Sequence, residues 1–320
     1  MALGNDAFAS GVGSIVIGGD DSLPHGSAET AGYQLTIGFN PNGSKFRPSA
    51  ATGNGAVVVG VHSQALSQGS TAIGVAATAG DNGEVKNKNN VTTATAAKEA
   101  TAVGARSRAK SEHTTAVGYE AEALGLNSTT VGAESTANST NSFAGGYNAT
   151  ANGINSTAIG SSAKTNGADA IAIGTGAKAL NTNTISIGTG NTVTGANSTA
   201  IGDPTTISGT GSHSLGNDNT IPDDNSTVIG NSNVLSKGDW SSTSDGSHVV
   251  GNNVQIRGEN SLAFGNNAMV GDANNEGVEG TVNATAIGTS ATAKGANALA
   301  VGTGAKASQA NNTAIGTSAT

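Results

Sequence analysis

The chain has 320 residues, of which 48 are Gly, 11% are charged and 3% are aromatic, which excludes a large core of bulky side chains. A formal net charge of -8 removes the electrostatic reason to approach DNA, RNA or an anionic lipid surface, and the absence of cysteine removes disulfides and thiolate metal sites. Hydrophobic residues still reach 35% and recur at fixed positions, which separates the chain from disordered low-complexity sequence.

A Gly that follows an apolar pair marks the repeat from the start of the chain. It stands at Gly4, Gly18, Gly38, Gly60, Gly74 and Gly104, then every fourteen residues from Gly104 to Gly230, and again at Gly251, Gly265, Gly288, Gly302 and Gly316. Fourteen residues would also fit four turns of a coiled coil, but each repeat carries Gly flanked by Asn, Ser and Thr, residues that break helices and make turns. Such an array is a solenoid signature. No apolar run spans a bilayer. The opening "MALGNDAFAS" and closing "TAIGTSAT" both read as repeat, so a piece of a longer fibre is expected.

In the unit from Gly160 to Gly174, a first strand centred on Lys164 and a second strand at Ala170 to Ile173 are separated by turns at Asn166-Gly167 and Gly174-Thr175-Gly176. Two strands and two turns make one coil, so the expected fold is all-β: a narrow parallel β-roll rising about 4.8 Å per coil. The first strand holds a polar residue in its middle (Arg108, Glu122, Thr136, Lys164, Lys178 and Lys306), which gives it one wet face. The second strand alternates small residues (Ser156, Ala158, Ala170, Ala172, Ser198 and Ala200) with Thr or larger aliphatics (Ile159, Ile173 and Ile201), so neither face is wet. One face lines the roll, and the other needs partner chains. The larger face is expected inside, with the Ser/Ala face between chains. Phe143 followed by Gly145 is read as bulk moved along a packed interior.

The steps longer than fourteen place insertions near 20–30, 41–48, 80–94, 237–243 and 270–280, all aligned to the turn between first and second strands, hence to one edge. They carry side chains that the repeats lack. Lys45, Phe46 and Arg47 lie between prolines, Trp240 is the only tryptophan, and Lys86 and Lys88 lie in a polar stretch. These six are candidate ligand contacts, against the alternative that the aromatics fold back on their own coil. His213 and His248 occupy a position usually held by Thr. They either converge between chains on an ion or cap the roll interior. The Asp-rich "GGDD" and "IPDDNS" lack the calcium nonapeptide pattern. No metal, cofactor or catalytic constellation is expected. Ice binding by flat Thr arrays is a rival, set back if the Thr-rich strand is buried.

The phrases "NSTAIGSSAKTNG", "NSTAIGDPTTISG", "NATAIGTSATAKG" and "NALAVGTGAKASQ" resemble the head repeats of YadA-like trimeric autotransporter adhesins of Gram-negative bacteria. The resemblance implies a left-handed roll, assembly as a homotrimer, and one head over residues 1–320 on a stalk with an outer-membrane anchor outside this sequence. It implies a place at the bacterial cell surface. It also implies adhesion to host matrix proteins such as collagen, fibronectin or laminin, to cells or to abiotic surfaces, with a purely structural spacer as the alternative. A related phrase, NSVAIG, is tied to collagen binding in the family and maps to Asn155 to Gly160 and Asn197 to Gly202, with Thr for Val. The same residues also suit the roll itself.

Overall fold

The computed structural model describes residues 1–4, 7–18, 49–80, 98–235, 245–271 and 281–320. These residues form short strands and turns with no helix, and divide into two compact units, Met1–Ser162 and Ala163–Thr320. Each unit is a parallel β-solenoid. In the first, Thr115–Val117 pairs with Thr129–Val131, and Arg108–Ala109 with Glu122–Ala123. In the second, Ile171–Ile173 pairs with Ile185–Ile187, and Lys178–Ala179 with Thr192–Val193. Each of these partners lies fourteen residues along the chain, so like positions stack in columns.

The first strand is oriented as its sequence suggests, with Arg108, Glu122, Lys164 and Lys178 outward and Ala109, Ala123, Thr165 and Ala179 buried. The second strand is turned the other way from the expectation above. Ser156, Ala158, Ala170, Ala172, Ser198 and Ala200 are fully buried inside the roll, whereas Ile159, Ile173 and Ile201 are 37–40% exposed. The reason is the width of the coil. Only four residues (174–177) join Ile171–Ile173 to the next first strand, Lys178–Ala179, and the opposite wall must approach closely across such a turn. Alanine and serine fill that gap, and Ile does not fit on both walls. The largest interior residues, Ile207, Ile221, Leu235 and Ile256, come from first strands, and the interior positions of second strands reach no larger than Val, as at Val58, Val228 and Val249. Phe143 is likewise on the outer face and not the inner one: a Cβ on Gly145 would meet the Phe143 ring at 2.9 Å, so the ring lies over that glycine.

Two backbone columns explain why Gly and Asn repeat. The marker glycines hold φ between +122 and +155, and a Cβ on Gly146 would stand 2.7 Å from the carbonyl oxygen of Gly160 in the next coil. Only glycine meets both conditions. Five residues before each marker the chain is again left-handed, at Asn127, Asn141, Asn155, Asn183 and Asn197 with φ of 55 to 57. Asn tolerates this conformation better than other residues with a side chain. Its amide also stacks: Asn127 Nδ2 donates to Asn141 Oδ1 at 3.1 Å, and Asn141 Nδ2 to Asn155 Oδ1 at 2.9 Å.

The insertions do not share one turn. Residues 81–97, 236–244 and 272–280 do interrupt the passage from a first strand (Thr78–Ala79, Val234–Leu235 and Met269–Val270) to the following second strand. Ile15–Ile17, however, pairs directly with Val57–Val59, and Phe8–Ala9 with Ala50–Ala51. Residues 19–48 therefore leave after a second strand and rejoin before a first strand, at the opposite turn of the coil. The phrase ending at Gly38, read above as a repeat marker, lies outside the described residues.

Candidate interface surfaces

The six-residue phrase resolves into separate structural duties. In Asn155 to Gly160, Asn155 makes the left-handed turn, Ser156 and Ala158 face inward, Thr157 and Ile159 face outward, and Gly160 holds φ +128. Asn197 to Gly202 repeats the arrangement, with Asn197 Oδ1 accepting from Asn183 Nδ2 at 3.0 Å. Inside, Ser198 Oγ donates to the Gly209 carbonyl at 2.7 Å and accepts from the Ser212 backbone N–H at 3.0 Å. The same link joins Ser212 to Ser226 at 3.0 Å and Ser247 to Ser261 at 3.2 Å. Only Thr and Ile of the phrase reach outward from the sheet, so four of its six positions are occupied by the coil's own construction.

A column of buried asparagines was not anticipated. Asn191, Asn219 and Asn233 stand where other coils have Ala163 or Ala177, and each amide closes the turn above it. Asn191 Nδ2 donates to the Gly202 carbonyl at 2.8 Å, and its Oδ1 accepts from the Thr205 N–H at 2.6 Å. The sequence signal was available: Asn replaces Ala three residues after the marker while Val193, Ile221 and Leu235 replace Ala or Thr two residues later.

The outward faces of the two strands differ in chemistry. First strands and their turns carry charge: Arg108 Nη1 meets Glu122 Oε1 at 2.7 Å, and Arg106 Nη1 meets Glu120 Oε1 at 2.6 Å. Tyr147 hydrogen-bonds to Glu134, and that bond and the carboxylate's charge raise the phenol above its ordinary pKa. Exposed pairs of this kind are worth only about 0–1 kcal/mol each, so they mark a solvated surface more than a source of stability. The second strands present the opposite. Their outward positions hold Thr, Val, Ile, Leu and Phe, with Ile201 40%, Leu215 53%, Ile229 45% and Phe264 52% exposed.

His213 and His248 lie in this outward row, in register with Thr199, Thr227 and Leu262. Both are exposed on the chain, so neither caps the interior. Thr101, Thr115, Thr129 and Thr157 also point outward, which removes burial as an argument against an ice-binding array. The Asp residues of "IPDDNS" serve the backbone: Asp224 Oδ1 accepts the Thr210 N–H at 2.7 Å, and the Asp224 N–H donates to Asp245 Oδ1 at 2.9 Å. Among the described residues no three His, Asp or Glu gather as a metal site. Lys45, Phe46, Arg47, Lys86, Lys88 and Trp240, with most of "GGDD", lie outside the described residues.

The family model described as YadA head domain repeat (2 copies) matches residues 1–20, 51–77, 96–121, 123–149, 151–177, 179–203, 282–305 and 293–319, more than half of the chain. No curated protein matches the sequence.

Proposed function

The chain belongs to the YadA head family, whose role is that of an adhesin in a surface fibre, and we propose that it works as a homotrimeric adhesive head at the bacterial cell surface. The observation that carries the assembly is the uncharged outer face of the second strands in each unit, beside first-strand faces that carry charge. A single chain would leave that stripe in water, whereas copies of the same chain offer the same uncharged, mostly apolar surface in return. Light scattering is expected to give about three times the 30.8 kDa chain mass at micromolar concentration. A soluble, folded monomer at that concentration would reject the proposal. A left-handed coil, and an anchor in the outer membrane beyond this sequence, are part of the same reading. Among the described residues no helix is long and apolar enough to cross a membrane.

For adhesion, two surfaces compete. The coils repeat one weak polar surface many times, which gives avidity toward cells or abiotic surfaces without a strong single site. The insertions carry Lys45, Phe46, Arg47, Lys86, Lys88 and Trp240, the side chains suited to recognising a host matrix protein such as collagen, fibronectin or laminin. We assign specific protein binding to these insertions. Shortening both to the plain repeat should leave the melting temperature within a few degrees and abolish most binding to whichever matrix protein the intact head captures. Full binding by the well-folded double deletion would move adhesion to the coil faces.

Outward Thr101/Val103, Thr115/Val117 and Thr129/Val131 also support a second reading, a flat array that binds ice. The mass measurement separates the two, because a trimer closed over this face has no ice surface left, and a monomer with thermal hysteresis would favour ice.

A further inference from the structure

On the outward side of the second strands, the described residues carry two ionisable groups in all: His213 and His248. Every other coil places Thr, an aliphatic, Met, Phe or Gly there. The two imidazoles stand in one column, separated by Thr227, with Leu215, Ile229 and Val250 in the neighbouring outward column. The strands on either side, Thr199–Ile201 and Leu262–Phe264, bring no titratable side chain. The charged groups of these coils sit in the turns at the strand ends. Asp203 and Asp218 follow the second strands, the buried Asp223 together with Asp224, Asp245 and Glu259 precede them, and Arg257 follows the first strand Gln255–Ile256. Asp224 and Asp245 are already engaged by backbone N–H groups.

We propose that His213 and His248 make the contact between copies of the unit Ala163–Thr320 sensitive to acid. The inference rests on the homotrimer reading above, with a second and third copy of this chain as the occupants of the face. Symmetry then brings three copies of each imidazole to that face, at two levels along the stack. Neutral imidazoles are compatible with an uncharged contact, and imidazolium ions are not. Protonation sets like charges against a face that offers no carboxylate in its rows, and charging a desolvated group costs free energy in addition. Imidazole is the side chain whose charge changes between neutral and mildly acidic pH, so the response is sought across that range. The assembled state disfavours the charged form and therefore binds fewer protons than separated chains, so assembly is strongest above that range and weakens as pH falls through it.

The test compares the intact head with the double variant His213→Thr/His248→Thr, which installs the residue found most often at this position among the described coils. Mass by light scattering and thermal unfolding are measured at pH 8 and pH 5. At pH 8 both proteins should be trimers of similar melting temperature. At pH 5 the intact head should dissociate at a concentration at least tenfold higher than at pH 8, or melt several degrees lower, and the double variant should lose most of that difference. His213→Gln/His248→Gln, neutral at both pH values, should behave as the Thr variant does, which guards against a packing effect of Thr. An equal pH response in all three trimers overturns the proposal and leaves the homotrimer intact. A monomer at pH 8 overturns the homotrimer reading itself, and this one with it.

Discussion

Replacing Ala172 by Glu should unfold the coils around it, whereas replacing Ile173, one residue along, should leave them folded and separate the chains. Ala172 is fully buried and packs with Ala170, Ala177 and Ala179 in an interior that has room for methyl groups. A carboxylate there has no cation to meet and no space to turn outward. An uncompensated buried charge together with overpacking costs about 4 kcal/mol or more. Ile173 is 37% exposed on the outward side, so Ile173→Glu keeps the coil's own contacts and disturbs the surface offered to other copies. Circular dichroism melting reports the first effect and light scattering the second. Tolerance of Ala172→Glu together with unfolding by Ile173→Glu would mean that the strand faces the other way.

The second large effect is expected at a marker glycine. Gly174 holds φ +129, and a Cβ on it would sit 2.6 Å from the carbonyl carbon of Gly188. Gly174→Ala therefore combines a strained backbone with a clash against a neighbouring main chain that has no rotamer to yield, about 3–5 kcal/mol in all. Gly176, two residues later, is the control. Its φ is +66 with nothing within 4 Å of the added methyl, and other coils hold Ser162 or Asn148 in this left-handed turn. Gly176→Ala should cost only about 1 kcal/mol. Equal losses in chemical denaturation would show that stacking across coils does not set the glycine requirement.

These contrasts show what the sequence disclosed and what it withheld. The coil, its two strands and the wet face of the first strand followed from Lys164, Lys178 and Glu122 alternating with small residues, because period-two polarity reports directly which side meets water. The second strand gave no such report. With Ala172 small and Ile173 large and neither polar, the alternation fixes two faces without saying which is inside, and hydrophobicity alone favours burying Ile. The spacing between walls decides, and that spacing comes from turn length and from the interior Ala163 and Ala177 taken together. Gly38 is a different case. Its phrase satisfies the local pattern but lies outside the described residues, whereas Ile15–Ile17 pairs directly with Val57–Val59, a partner that fixed spacing did not indicate. Of the candidate adhesive residues, Lys45 and Trp240 were singled out because they differ from the repeat, which indicates where to look and not what they touch. Asn155 and Asn197 were correctly suspected of serving the coil, since turn chemistry is legible from residue type.

The glycine column also governs how such a gene can change. Gain or loss of one residue within a strand would move Gly174 from beneath the Gly188 carbonyl and turn every later side chain of that strand to the wrong side. Duplication or deletion of one whole repeat leaves each column aligned, since every coil presents the same surface above and below. Whole-repeat changes are therefore expected to alter the number of coils without a new fold, whereas a side chain added along the glycine column breaks the stack.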